Sequence, residues 1–155
     1  MNTTPEAKPK APSIGREGLS PSAKVFWLDR KRIRDRLREE AERLHQSHPE
    51  IERVILFGSL ARGDAVPGSD ADLLLVLRDS ERPFRERAGA YRVAGVGVGV
   101  DVFAYTSREL AEMLDQGNAF VAQALREGVA LWESVAAARD GDRVNRCQAH
   151  PDSVE

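Results

Sequence analysis

Two rhythms of apolar residues alternate along this chain, one of nearly unbroken short runs and one recurring every three or four positions, so strands and helices are predicted together. Val54, Ile55, Leu56 and Phe57 complete a strand over Ile51–Phe57 that Gly58 closes, and Ala71–Leu77 reads the same way. Continuous apolar runs of this length suit strands buried on both faces. A third strand is predicted over Val96–Tyr105, where Val98, Val100, Val102 and Tyr105 favour extended backbone and Asp101 is the lone charge. Ser20 and Pro21 give the start signal of a helix that runs to His48 and stops at Pro49, with Phe26, Ile33, Leu37 and Leu44 on one face. The highly charged stretch from Arg78 to Arg92 predicts an exposed connection with some helix. Thr106 and Glu109 match a capping box ahead of the stripe Leu110, Met113 and Leu114, which Gly117 ends. A short helix follows from Asn118, carrying Phe120, Val121, Ala124 and Leu125 before Gly128, and Val129, Leu131 and Trp132 close the unit as a strand or an apolar cap.

The elements amount to an α+β domain over residues 21–133, a small β-sheet flanked by helices. Residues 1–20, with Pro5, Pro9, Pro12, Gly15 and Gly18 among polar neighbours, read as a flexible tail, and residues 134–155 as a weakly ordered one. Composition agrees with a single core: 41% of the 155 residues are hydrophobic and 31% are charged, which excludes collagen-like, coiled-coil and wholly disordered chains. The formal charge of −2 lacks the positive field of a dedicated nucleic-acid binder, so nucleic acid is not expected as the main partner. Arg30, Lys31, Arg32, Arg34, Arg36 and Arg38 do form a basic cluster, followed by Glu39, Glu40 and Glu42. A solvated helix face with ion pairs between turns is favoured there over an RNA or acidic-partner contact. The single cysteine, Cys147, leaves no internal disulfide and no cysteine-based zinc site, which suits a reducing, cytoplasmic setting. No run approaches the roughly 18 apolar residues of a membrane span, and no secretory leader is evident.

Several motifs fail on their chemistry. Gly58 and Gly63 are spaced as in a P-loop, but Asp64 and Ala65 stand where Lys and Ser or Thr are required. Gly95, Gly97 and Gly99 lie within a strand-like stretch rather than at a strand-to-helix turn, and are expected to allow close approach of backbone or ligand. His45 and His48 lack a third metal ligand nearby, and Ser59 sits outside a nucleophile elbow with no histidine to serve it.

What remains is an ordered set of acids. Asp70 and Asp72 are separated by one residue at the opening of the second strand, so alternation aims both at one side. Two ionised carboxylates so placed repel, and a divalent cation relieves that repulsion; hard oxygen ligands point to magnesium or manganese. Asp101 interrupts a run of valines, an expensive position unless it is exposed at an edge, paired or bound to metal, and it joins the cluster if its strand lies beside the second. Three such acids suit phosphoryl or nucleotidyl transfer. Gly58 would let backbone approach phosphate and Ser59 would add a hydroxyl, while Arg62 is placed either to neutralise phosphate or to brace the loop through Asp64, which is read as structural.

These residues carry a resemblance. Val54-Ile55-Leu56-Phe57-Gly58-Ser59-Leu60-Ala61-Arg62-Gly63-Asp64, followed by Ser69-Asp70-Ala71-Asp72-Leu73-Leu74-Leu75-Val76, resembles the minimal nucleotidyltransferases of the DNA polymerase beta-like superfamily, with Val100-Asp101-Val102 where that family has its third acid. The resemblance spans roughly residues 33 to 132, and Phe120, Ala124, Leu125, Gly128, Leu131 and Trp132 suit the family's closing helix and strand. It implies a nucleotidyltransferase fold with a mixed sheet, Asp70 and Asp72 as metal ligands, and Asp101 as third ligand or general base. Gly58 and Ser59 become the nucleotide-phosphate turn, with ATP as co-substrate and magnesium or manganese as cofactor. Larger members append an acceptor-binding domain, and the sequence beyond the core holds none, so the acceptor is expected from elsewhere. At this size the chain is similar to the antitoxin of HEPN/MNT toxin-antitoxin pairs, which implies a helical HEPN toxin as partner, neutralised by AMPylation of a tyrosine. A non-catalytic module that masks its partner is the alternative, and transfer to an aminoglycoside-type small molecule a lesser one.

Overall fold

The computed structural model describes residues 28–138. Most of both expected tails, the helix start at Ser20 and Pro21, Phe26 and Cys147 lie outside the described residues. The first helix, α1 (Arg30–Ser47), starts later than predicted: Leu28 and Asp29 are not helical, and the Asp29 carboxylate accepts from the Arg32 amide at 3.0 Å as the N-cap. At its far end the His48 amide donates to the carbonyls of Leu44 and His45, and Pro49 stops the helix.

Two strands follow, β1 (Ile51–Phe57) and β2 (Ala71–Leu77), joined through a five-residue helix α2 (Gly58–Arg62). They pair antiparallel, with Leu56 opposite Leu73 and Phe57 opposite Asp72. The next helix, α3 (Phe84–Ala90), leads into β3 (Val100–Thr106), which pairs parallel with β2. Two further helices, α4 (Ser107–Asp115) and α5 (Ala119–Glu127), precede the last strand, β4 (Val129–Glu133), which pairs antiparallel with β1. The sheet order is β3-β2-β1-β4, a four-stranded mixed sheet flanked by helices.

Strand alternation divides the core in two. Val54, Leu56, Leu73 and Leu75 meet Ile33, Leu37, Ala41 and Leu44 of α1 on one face. Ile55, Phe57, Leu74 and Val76 meet Leu110 of α4 and Val121 and Ala124 of α5 on the other. Both central strands are covered on both sides, which is why their sequences are continuously apolar.

Two predicted elements are corrected. The third strand begins at Val100 rather than Val96, because Gly95 (φ 76°) and Gly97 (φ 96°) take left-handed backbone that no strand accommodates. Val96 nonetheless fills the core from that turn, 1% exposed. The connection from Arg78 to Arg92 is not simply exposed either. Arg87 is 4% exposed, donating to the carbonyls of Arg82 and Ala104 and to the Glu109 carboxylate, and the buried Tyr91 donates its hydroxyl to Glu50 at 3.0 Å. Past β4, Ser134 opens a helical turn, its hydroxyl accepting from the Ala137 amide at 3.1 Å.

Candidate active site

The end of β1 and the beginnings of β2 and β3 fall at the same end of the sheet. Register places Phe57 opposite Asp72 and Asp72 opposite Asp101, a line across three strands on the face that carries α4 and α5. Asp70 precedes β2 by one residue, and its neighbour Ala71 donates its amide to the Gly99 carbonyl at 2.8 Å, which ties the openings of β2 and β3 together. Asp72 and Asp101 are thereby neighbours in register, and Asp70 lies one residue before β2 beside Gly99.

Their electrostatics follow from this placement. Burial pushes the Asp72 carboxyl above its ordinary value of 3.8, the carboxylates of Asp101 and Asp70 push it further, and the guanidinium of Arg62 partly opposes them. Among the described residues, no three acids, histidines or cysteines stand close enough to hold one ion as they are placed. The acids are near enough to repel one another but not drawn onto a common point. The donor set nonetheless fits a divalent cation by its chemistry, because the carboxylates offer hard oxygens whose charge Arg62 offsets only in part.

Two glycines make room for these acids. Gly58 has φ +70°, and a Cβ there would lie 2.2 Å from Asp72 Oδ2, so any other residue is both strained and in collision with the carboxylate. A Cβ on Gly99 would lie 2.3 Å from Asp70 Oδ1. The glycine run around position 97 hinted at close approach, but only the fold identifies Asp70 as the group that approaches. Ser59 is half-buried in the first turn of α2, and its carbonyl accepts the amides of Gly63, Asp64 and Ala65. Arg62 donates to Asp64 and to Glu127 of α5, both at 3.2 Å, so its guanidinium bridges loop and helix while its charge is felt at Asp72.

Beside the acids the rings of Phe57, Phe103 and Phe120 pack with centroids 5.3–5.6 Å apart, and Phe120 remains 41% exposed. The two histidines of α1 serve packing: His45 stacks on Trp132 at 3.8 Å, and His48 meets the edge of Tyr91. Sequence reasoning missed Arg30 and Arg34. The charge pattern groups them with the solvated basic face, and the i,i+4 pair Lys31–Asp35 does lie there, but Arg30 and Arg34 turn to the carbonyls of residues 60–65. Nothing in a charge pattern distinguishes them, since their acceptors are backbone atoms 26–35 residues away.

A family model described as a nucleotidyltransferase domain matches residues 34–124, a span that contains the glycine turn and all three acids. Two solved structures are similar. One, from Sulfolobus solfataricus, is described as a candidate nucleotidyltransferase; it is 25% identical, with 67% of this chain and 83% of that chain covered and a TM-score of 0.46. The other, described as a toxin-antitoxin with AMP-PNP, is 19% identical, with 72% of this chain and 90% of that chain covered and a TM-score of 0.41. No curated protein matches the chain. No helix among the described residues is long and apolar enough to cross a membrane.

Proposed function

The chain belongs to the nucleotidyltransferase domain family, and from that premise we propose that it transfers a nucleoside monophosphate, AMP from ATP, to a hydroxyl on a partner protein. The observation that carries this reading is the register that sets Asp72 beside Asp101, with Asp70 one residue before the same strand. Asp70 and Asp72, with Asp101 as third ligand, are the residues that would hold magnesium or manganese, which when bound neutralises phosphate charge and lowers the pKa of an attacking hydroxyl. The Gly58–Ser59 turn receives the phosphates through its backbone and the Ser59 hydroxyl, the missing side chain at Gly58 leaving room for the Asp72 carboxylate beside it. Asp101, exposed at the edge strand, accepts the hydroxyl proton. The acceptor oxygen forms its bond to the α-phosphorus as the bond from that phosphorus to the pyrophosphate oxygen breaks, and pyrophosphate leaves.

The acceptor is the finer part of the proposal. Similarity of the motif set to HEPN/MNT antitoxins supports a helical HEPN toxin, modified on a tyrosine hydroxyl and thereby neutralised. The test is transfer of label from α-labelled and, separately, γ-labelled ATP with magnesium into host extract and into co-purified partner, comparing wild type with Asp70→Asn/Asp72→Asn. Label from the α position alone, on a protein band, and at least about a hundredfold less with the double variant, is the expected result. Label on RNA or a small molecule would move the acceptor while keeping the chemistry. No transfer, with neutralisation unchanged in the double variant, would leave a masking module instead.

A further inference from the structure

Arg30 and Arg34 stand one turn apart on α1 and direct their guanidiniums at the backbone that follows Gly58. The need for them arises from that backbone's own hydrogen bonds. The amides of Gly63, Asp64 and Ala65 all donate to the Ser59 carbonyl, at 2.9, 3.1 and 3.2 Å. Regular α-helical bonding would send the Asp64 and Ala65 amides to Leu60 and Ala61. Those two carbonyls therefore lack backbone donors at the end of a five-residue helix. Arg34 supplies them: its Nε and Nη2 both donate to the Leu60 carbonyl, and Nη2 also reaches the Ala61 carbonyl at 3.1 Å. Arg30 continues the series, with Nη1 on the Gly63 carbonyl and Nε and Nη2 on the Ala65 carbonyl at 3.2 and 2.8 Å. One charged planar fork thus satisfies two orphaned acceptors, an arrangement that a lysine or a neutral amide reproduces only in part.

The opposite end of this short segment lies close against Asp72. It is Gly58, whose missing Cβ would lie 2.2 Å from the Asp72 carboxylate. A shift at Leu60 or Ala61 is therefore transmitted within one helical turn to the backbone against Asp72. We propose that Arg34, supported by Arg30, is a positioning residue that fixes the Gly58–Gly63 segment against Asp72 in the arrangement that receives the nucleoside triphosphate. This rests on the nucleotidyl transfer reading above.

The test uses the full chain as wild type, Arg34→Gln, Arg34→Lys and Arg30→Gln. Amide hydrogen exchange at Gly63, Asp64 and Ala65 is measured without nucleotide, and ATP binding with magnesium by calorimetric titration well below the melting temperature. Arg34→Gln is expected to speed exchange at those three amides but not at Leu110 in α4, and to weaken ATP binding about tenfold, the equivalent of one charge-assisted bond. Arg34→Lys should fall between it and wild type, and Arg30→Gln should show the smaller effect of an exposed donor. Unchanged exchange overturns the proposal, as does faster exchange with unchanged ATP affinity. A wild type with no affinity for ATP overturns the transfer reading itself; faster local exchange would then identify the two arginines as a device of the fold and not of nucleotide binding.

Discussion

Asp72 stands on strand β2 within the field of the Asp101 and Asp70 carboxylates, partly out of water, with only the charge of Arg62 in its favour. Its folded value therefore lies above the ordinary 3.8. For an acid shifted upward the folded state holds the proton more tightly than the unfolded one, so the contribution to stability declines as pH rises from about 3.8 through the folded value. At neutral pH the ionised group is then a local liability that function retains. Asp72→Asn, in the presence of a chelator at pH 7, should melt higher than wild type by on the order of 2 °C. Magnesium should raise the melting temperature of wild type and not of the variant. A variant that melts lower than wild type under chelation would show that the carboxylates do not repel as described.

At the scale of elements, α4 is held by a junction that a local motif and a distant residue build together. Thr106 and Glu109 form the capping box the sequence announces, the hydroxyl accepting the Glu109 amide at 3.2 Å and the carboxylate accepting the Thr106 amide at 2.8 Å. The same carboxylate takes a fork of two bonds from the buried Arg87 of α3, which together with the Thr106 bond holds it below its ordinary 4.5. Replacing Arg87 with Met should lower the unfolding free energy by about 2 kcal/mol, less than a fully buried pair because Glu109 keeps its backbone bond and some solvent. For a carboxyl shifted downward the stabilisation is complete above 4.5 and disappears as pH falls through the folded value. Urea unfolding of wild type and Arg87→Met should accordingly differ most at pH 7 and less in acid, where only the bonds from Arg87 to the Arg82 and Ala104 carbonyls separate them. A difference independent of pH would assign the loss to packing and those carbonyl bonds alone.

The whole molecule is a sheet clamped between α1 on one face and α4 with α5 on the other, and the acids sit where three strands reach the same end. On the α1 side Leu37 is fully buried. Leu37→Ala should cost about 3 kcal/mol with no change in the urea dependence of the transition, because a cavity opens in a core that closes only partly around it. The same helix carries Arg34, so loosening its seat at Leu37 should also weaken ATP binding, whereas an equally destabilising change at the buried Leu77, at the end of β2 remote from Asp72, should not. Urea unfolding and calorimetric titration of both variants decide this.

Much of this was legible in the chain. Continuous apolar runs gave β1 and β2 to the residue, and the capping box and Asn118 gave the starts of α4 and α5, because these are local rules of backbone period and end chemistry. The alternating valines of residues 96–100 misled where local signals competed: valine favours strand, but the left-handed glycines between them break it. Other features were decided only when the chain closed on itself. That Asp101 pairs in register with Asp72, that Arg87 is buried beneath Glu109, and that Arg34 serves carbonyls 26 and 27 residues away all depend on contacts between distant segments. Period and composition determine which face of an element is apolar. Only tertiary packing determines which polar group meets the acceptor that its own backbone has left without a partner.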